Sequence, residues 1–146
     1  GTLSLRGLQR DSLQGDRAVA DLFVRFGVLT SYQSDGIVIS KNAETVSLPP
    51  DISFDFSHCP DLYPAVAITC ERLGVRLAAT GTKSLTIKES DRLKAVAEHR
   101  VCADHRIAMA LLAADLPCDD RECISKSYPD FYSQLCKLKE SYHGEA

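Results

Sequence analysis

At 146 residues, 45% hydrophobic and 25% charged, the chain has the make-up of one soluble globular domain or a compact piece of a larger one. A net charge of −3 gives no bias toward nucleic acid, yet leaves acidic substrates open, because a site depends on a few local charges. No apolar run approaches the ~20 residues a membrane helix needs, and GTLSLRGL lacks the basic-then-apolar order of a signal peptide, so a cytoplasmic protein is expected.

Taken from the N-terminus, TLSLRGL reads as a short strand. Helix signals begin at Asp16: Val19, Leu22, Phe23 and Phe26 recur as the positions of one helix face do, and Gly27 is a natural stop. GVLTSYQSDGIVIS reads as strand, turn at Ser34-Asp35-Gly36, strand. LPPDISF leads into a further strand. A second helix is expected from Asp61, a good N-cap with Pro64 tolerable in the first turn, through Ala65, Ile68 and Leu73 to Gly74. VRLAAT is a strand. Further helices are expected near Ser90, from Asp104, and near Asp130, the last with Phe131, Leu135 and Leu138 on one face. The pattern alternates strands and helices, which predicts an α/β fold.

The cysteines are Cys59, Cys70, Cys102, Cys118, Cys123 and Cys136, and none form CxxC. His58-Cys59, and Cys102 near His105, hint at metal ligands, but scattered reduced thiols are the plainer reading, and no metal is expected.

There is an internal repeat. LSLRGLQRDSLQGDRAVADL and LAATGTKSLTIKESDRLKAV share an order of strand, Gly, loop, acid-Arg pair and helix. The spacing that follows differs: 45 positions separate Asp16 from Asp61, but 13 separate Asp91 from Asp104. The strand-turn-strand of the first unit has no counterpart between Val96 and Asp104. An omitted segment there is the favoured explanation, because KAVAEHRVCADHR is too short to finish one helix and return to another.

Three segments gather cations near expected helix starts: Lys88 and Arg92 in IKESDRL, His105 and Arg106 in ADHRIAMA, and Lys126 in KSYPDF. Helix N-termini offer unpaired N–H groups and a positive dipole end, and arginines add bidentate donors for phosphate or carboxylate. If these ends converge they form an anion site, and spacing alone does not show that they do. Taken singly, each cation also reads as a solvated surface charge. The acids have bland readings too: Asp61 and Asp104 as N-caps, Glu89 pairing with Lys88, Asp91 with Arg92. An acid among several cations stays ionised and suits proton abstraction better than donation. That does not choose between Asp61 and Glu89.

IKESDRL, DHRIAMA and KSYPDFY, in this order, with SLQGD upstream and an HCPD segment between, resemble the C-terminal half of the EPSP synthase (3-phosphoshikimate 1-carboxyvinyltransferase) family over nearly the whole chain. The resemblance implies two similar domains of repeated βαβαββ units, an inside-out α/β barrel, with helix N-termini facing the cleft between them. Residues 1–146 would be the C-terminal domain, with Gly1 a boundary, the N-terminal domain absent, and a segment missing between 96 and 104. It implies transfer of the enolpyruvyl group of phosphoenolpyruvate to the 5-hydroxyl of shikimate 3-phosphate, releasing phosphate, in the shikimate pathway. Glyphosate would compete at the phosphoenolpyruvate site, no cofactor would be used, and the full-length protein would be a monomer.

By motif, the resemblance implies that Asp61 of HCPD accepts the proton of the hydroxyl and that Glu89 transfers a proton at the methylene carbon. Lys88 would bind shikimate 3-phosphate. Arg92, Arg106 and Lys126 would hold phosphoenolpyruvate, with His105 supporting. Ser84 stands where the family often has Asn, which puts one shikimate contact in doubt. Without its other domain the chain is expected to be inactive. UDP-N-acetylglucosamine enolpyruvyl transferase, of the same fold, is a rival reading. A non-catalytic α/β module with an anion-binding surface is another.

Overall fold

A computed structural model of the chain describes residues 1–41, 47–86 and 91–143. Thr2–Arg6 forms β1, Ala18–Val24 α1, Val28–Gln33 β2 and Gly36–Lys41 β3. Asp51–Asp55 forms β4, Tyr63–Leu73 α2, Arg76–Thr80 β5, Arg92–Ala97 α3, His105–Ala113 α4 and Phe131–His143 α5. Strands β1 and β2 flank β3, both antiparallel to it. Strand β4 pairs parallel with β5, and α2 is the crossover between them.

The chain is a mixed α/β structure with two apolar clusters, and α2 lies between them. On one side Val66 and Cys70 pack with Leu22 and Phe26 of α1, Ile52 of β4, Phe56 and Val75. On the other, Ile68 packs with Ala95 and Val96 of α3, Ile107, Ala108, Leu111 and Leu112 of α4, and Cys123 and Ile124. This central place explains a departure from the expected face of α2. Ala65 is exposed, while Pro64, Val66, Ile68 and Cys70 are buried. A helix covered on two sides does not show the one-face pattern of a surface helix.

The face expected of α1 is observed in part: Leu22 and Phe26 are buried with Phe23 packed beside them, whereas Val19 is half-buried and lines a cavity outside that cluster. The helix opens later than Asp16, through a 3-10 turn at Gly15–Arg17. Gly27 and Gly74 turn left-handed after α1 and α2. In α5, Phe131 and Leu135 pack against the second cluster, but Leu138 is exposed.

Gly7, after β1, and Gly81, after β5, both hold positive φ, +80° and +66°. A 3-10 turn comes after each, Gly15–Arg17 or Thr82–Leu85, and the next described helix is α1 or α3. After α3 the chain reaches α4 with no strand among the described residues 98–104. The connection closes through Arg100 N–H donating to Ala95 O at 2.8 Å and through the buried Val101. It places three non-glycine residues, His99, Cys102 and Ala103, at positive φ, a conformation that costs of order 1–3 kcal/mol each. The segment is therefore long enough to return, at a cost in strain.

Candidate functional site

The HCPD segment follows β4. Phe54, Phe56 and Tyr63 stack edge to face with centroids 4.8 and 5.3 Å apart, and Phe56 is fully buried. This aromatic row holds the turn between β4 and α2 from beneath. Pro60–Leu62 forms a 3-10 turn that feeds α2, whose N-cap is Leu62 with no side-chain cap. Asp61 therefore does not cap α2 as expected. Its carboxylate points to two other helix starts.

One oxygen of Asp61 accepts a hydrogen bond from Nη1 of Arg92 at 2.7 Å. The other pairs with Nη2 of Arg106 at 2.7 Å. Arg92 is the first residue of α3, and its Nε donates to Oδ2 of Asp104 at 2.5 Å. Asp104 is the N-cap of α4, and its Oδ1 accepts from the backbone N–H of Arg106 at 3.0 Å. The four residues close a ring that joins the starts of α2, α3 and α4. Four positions scattered over 46 residues of sequence thus meet at one place.

Burial is graded across the ring. Arg92 and Asp104 are 2% and 1% exposed, whereas the side chains of Asp61 and Arg106 are 28% and 31% exposed. A buried guanidinium is tolerated only with partners to replace water. Burial works against the charge of Arg92, but its bonds to Asp61 and Asp104 outweigh that and raise its pKa above the ordinary value. The arrangement leaves a carboxylate and a guanidinium at the open side, above a buried floor. Of the two arginines, Arg106 at the rim is the one open to solvent.

His105, the first residue of α4, is half-buried beside this ring. Lys126 ends the 3-10 turn Glu122–Lys126, is exposed, and makes no bond to the ring among the described residues. The turn packs on α4 through Cys123 and Ile124. Burial pushes the Cys123 thiol up, with Asp120, Cys118 and Asp104 adding to it and Lys126 opposing. Lys126 and Asp104 thus act on the same thiol. Lys88 and Glu89 lie outside the described residues. Ser84 is half-buried in the 3-10 turn Thr82–Leu85.

In the sequence Asp104 reads only as a cap; its second bond, to Arg92, is a tertiary contact. The signal available was an acid directly before His-Arg at a helix start. Burial of that acid is a tertiary property.

The SLQGD loop supports HCPD from the other side. A Cβ on Gly15 would lie 2.0 Å from the carbonyl oxygen of His58, closer than any real contact allows. Gly15→Ala is expected to push the His58–Asp61 backbone away, cost about 1–3 kcal/mol as an overpacked site does, and shift the Asp61 and Arg106 amide resonances. Unmoved resonances at Asp61 would show that the loop does not buttress the turn. A cavity of about 380 Å³ opens elsewhere, lined by Gly7, Gln14, Asp16 and Tyr32 among others, and includes none of the ring residues.

All six cysteines are unpaired, and among the described residues no group of three or more His, Cys, Asp or Glu is placed to hold a metal ion. No helix among them is long and apolar enough to cross a membrane.

Against known families, the sequence pattern of EPSP synthase (3-phosphoshikimate 1-carboxyvinyltransferase) matches residues 1–101. Proteins named 3-phosphoshikimate 1-carboxyvinyltransferase are similar over most of the chain. The one from Bacteroides fragilis (strain YCH46) is 33% identical over 171 residues, covering 92% of this chain and 41% of that protein. The one from Clostridium acetobutylicum is 32% identical, covering 98% and 40%. The one from Methanospirillum hungatei is 27% identical, covering 94% and 39%. The chain spans about two fifths of the length of these relatives. The matched span with the Bacteroides protein, 171 residues, exceeds the 146 of this chain, so that relative carries residues within it that this chain lacks.

Proposed function

We propose that this chain, which belongs to the EPSP synthase (3-phosphoshikimate 1-carboxyvinyltransferase) family, supplies one wall of a cleft in which the enolpyruvyl group of phosphoenolpyruvate passes to the 5-hydroxyl of shikimate 3-phosphate, releasing phosphate. The observation that carries this reading is the meeting of Asp61, Arg92 and Arg106, drawn from the starts of three helices. Phosphoenolpyruvate is a small, highly charged anion, and such a ligand needs several fixed cations around it.

In this reading Asp61 accepts the proton of the 5-hydroxyl as its oxygen attacks the enol carbon, and Glu89 delivers a proton to the methylene carbon. The tetrahedral adduct then loses phosphate as the methylene carbon gives its proton back. Arg106 and Lys126 take the donor's anionic groups; Arg92, expected to hold the donor with them, is 2% exposed and bonded to Asp61 and Asp104, so in this reading it anchors the site from below, with His105 beside it. Lys88 binds the phosphate of shikimate 3-phosphate. Pairing with both arginines keeps Asp61 a carboxylate. An incoming phosphoenolpyruvate competes for Arg106, and the Asp61 oxygen it releases becomes the one that takes the proton. Glyphosate would occupy the donor position, and no cofactor enters the reaction.

The rest of the protein would supply the opposite wall, as a second domain of the same inside-out α/β barrel. The assembled protein would be a cytoplasmic monomer. We read the order β4-α2-β5-α3 as the opening of a βαβαββ unit, and the family match stops at Val101. We place the residues that relatives carry in excess between α3 and α4, where the strained turn now stands.

The test is an NMR titration of this chain with shikimate 3-phosphate and then phosphoenolpyruvate. Shifts clustered at Asp61, Lys88, Arg92, Arg106 and Lys126 are expected. A well-folded chain that gives no shifts at millimolar ligand, and no transferase activity when mixed with the remaining part of the protein, would leave a non-catalytic module as the better reading.

A further inference from the structure

Among the described residues Asp91 and Asp104 each cap a helix with the side chain, and they are used differently. Asp91 caps α3: it is exposed, and its carboxylate accepts from the backbone N–H of Lys94 at 3.2 Å. Asp104 caps α4 in the same manner but is 1% exposed. A cap does not need a buried carboxylate. Serine, threonine or asparagine serves as well, and the stabilisation a cap provides is smaller than the cost of taking a charge out of water. The second oxygen of Asp104 accounts for the difference, because it accepts from Nε of Arg92 at 2.5 Å. Held at Nε, the guanidinium plane of Arg92 is fixed, and its Nη1 is aimed at Asp61 at 2.7 Å.

We infer that Asp104 is a positioning residue. Through Arg92 it sets the place and orientation of the Asp61 carboxylate, and through its cap it sets the start of α4 and so the backbone of Arg106. The inference rests on the reading of Asp61 as the proton acceptor, but its geometry can be tested without substrate. Asp104 touches no reacting group. Its part is to make the two rim residues one unit, so that Asp61 keeps one guanidinium partner when an anion draws Arg106 away.

The experiment uses this chain with ¹⁵N- and ¹³C-labelled Arg and Asp, and three measurements. In the unaltered protein, a scalar coupling across the hydrogen bond between Arg92 Nε and Asp104 Cγ is expected. Its absence overturns the inference whatever the variants do. Asp104→Asn and Asp104→Ser both keep a competent cap, so α4 amide shifts should hold. Exchange of the Arg92 Nε–H with water should speed up by about tenfold or more, as for a bond released to local opening, and the Asp61 Cγ resonance should move. A cap-only role predicts neither change, and an unmoved Nε–H would sink the proposal. In the assembled protein, the same variants should lower kcat by about 10²-fold, the scale of a small misplacement, with KM for phosphoenolpyruvate changed much less. If the NMR changes appear but the protein shows no transferase activity at all, the transferase reading fails and the positioning of Asp61 stands.

Discussion

Arg92→Ala is expected to cost about 3–5 kcal/mol, because it leaves Asp104 as a buried charge without its partner and removes a bond from Asp61. A domain of this size has about 5–15 kcal/mol to lose, so the urea midpoint should fall by a molar or more, or folding should fail at ambient temperature. Arg92→Lys should recover little. A single ammonium cannot bond two carboxylates that approach the guanidinium at Nε and at Nη1. Replacing both buried partners together, Arg92→Met with Asp104→Asn, should restore much of the loss, since the penalty belongs to the orphaned charge and not to the missing pair. Urea unfolding of the three variants checks this. An alanine variant within about 1 kcal/mol of the parent would contradict a buried, doubly paired arginine.

Asp61→Asn separates binding from turnover. In the assembled protein, kcat should fall by about 10²–10⁴-fold, the usual contribution of a positioned general base. Phosphoenolpyruvate should bind at least as tightly as before. Asp61 is the carboxylate that pairs with Arg106, and an amide competes less well with an incoming anion. Calorimetry of donor binding beside steady-state kinetics gives both numbers. Loss of binding in parallel with turnover would mean that Asp61 serves to place the arginines and does not take the proton. Retained turnover would remove it from the chemistry altogether.

The two predictions draw on different parts of the ring because burial divides it. Arg92 and Asp104 form the floor, where charge is tolerated only in pairs. Asp61 and Arg106 form the rim, where water reaches the charged atoms and the proposed ligand would compete for them. Loss of Arg92 is expected to register in stability first, and a change at the rim in activity first.

Much of this was legible in the chain itself. The hydrophobic spacing of Leu22, Phe23 and Phe26 marked α1, and the glycines at 27 and 74 marked where helices end, because these signals act over one or two turns of backbone. The alternation of strand and helix gave the α/β class for the same reason. Asp104 before His-Arg marked the start of α4, since an N-cap is a contact between near neighbours in sequence. The cations of the DRL and DHR segments, and the HCPD aspartate, were readable as residues suited to anion chemistry.

Other features depend on where distant parts of the chain meet. Whether Asp61 caps its own helix or bonds two others depends on how α2, α3 and α4 pack, 31 and 45 positions apart in sequence. Burial of Ala65 or Val66 depends on α2 having a cluster on each side. The reason is the same in each case. Caps, turns and periodicity are set by backbone geometry within a few residues, so residue order determined the elements and the chemical character of the candidate site. Desolvation and ion pairing are properties of the assembled packing, so only the tertiary structure decided which arginine is buried, which acid holds it, and that the three helix starts share one ring.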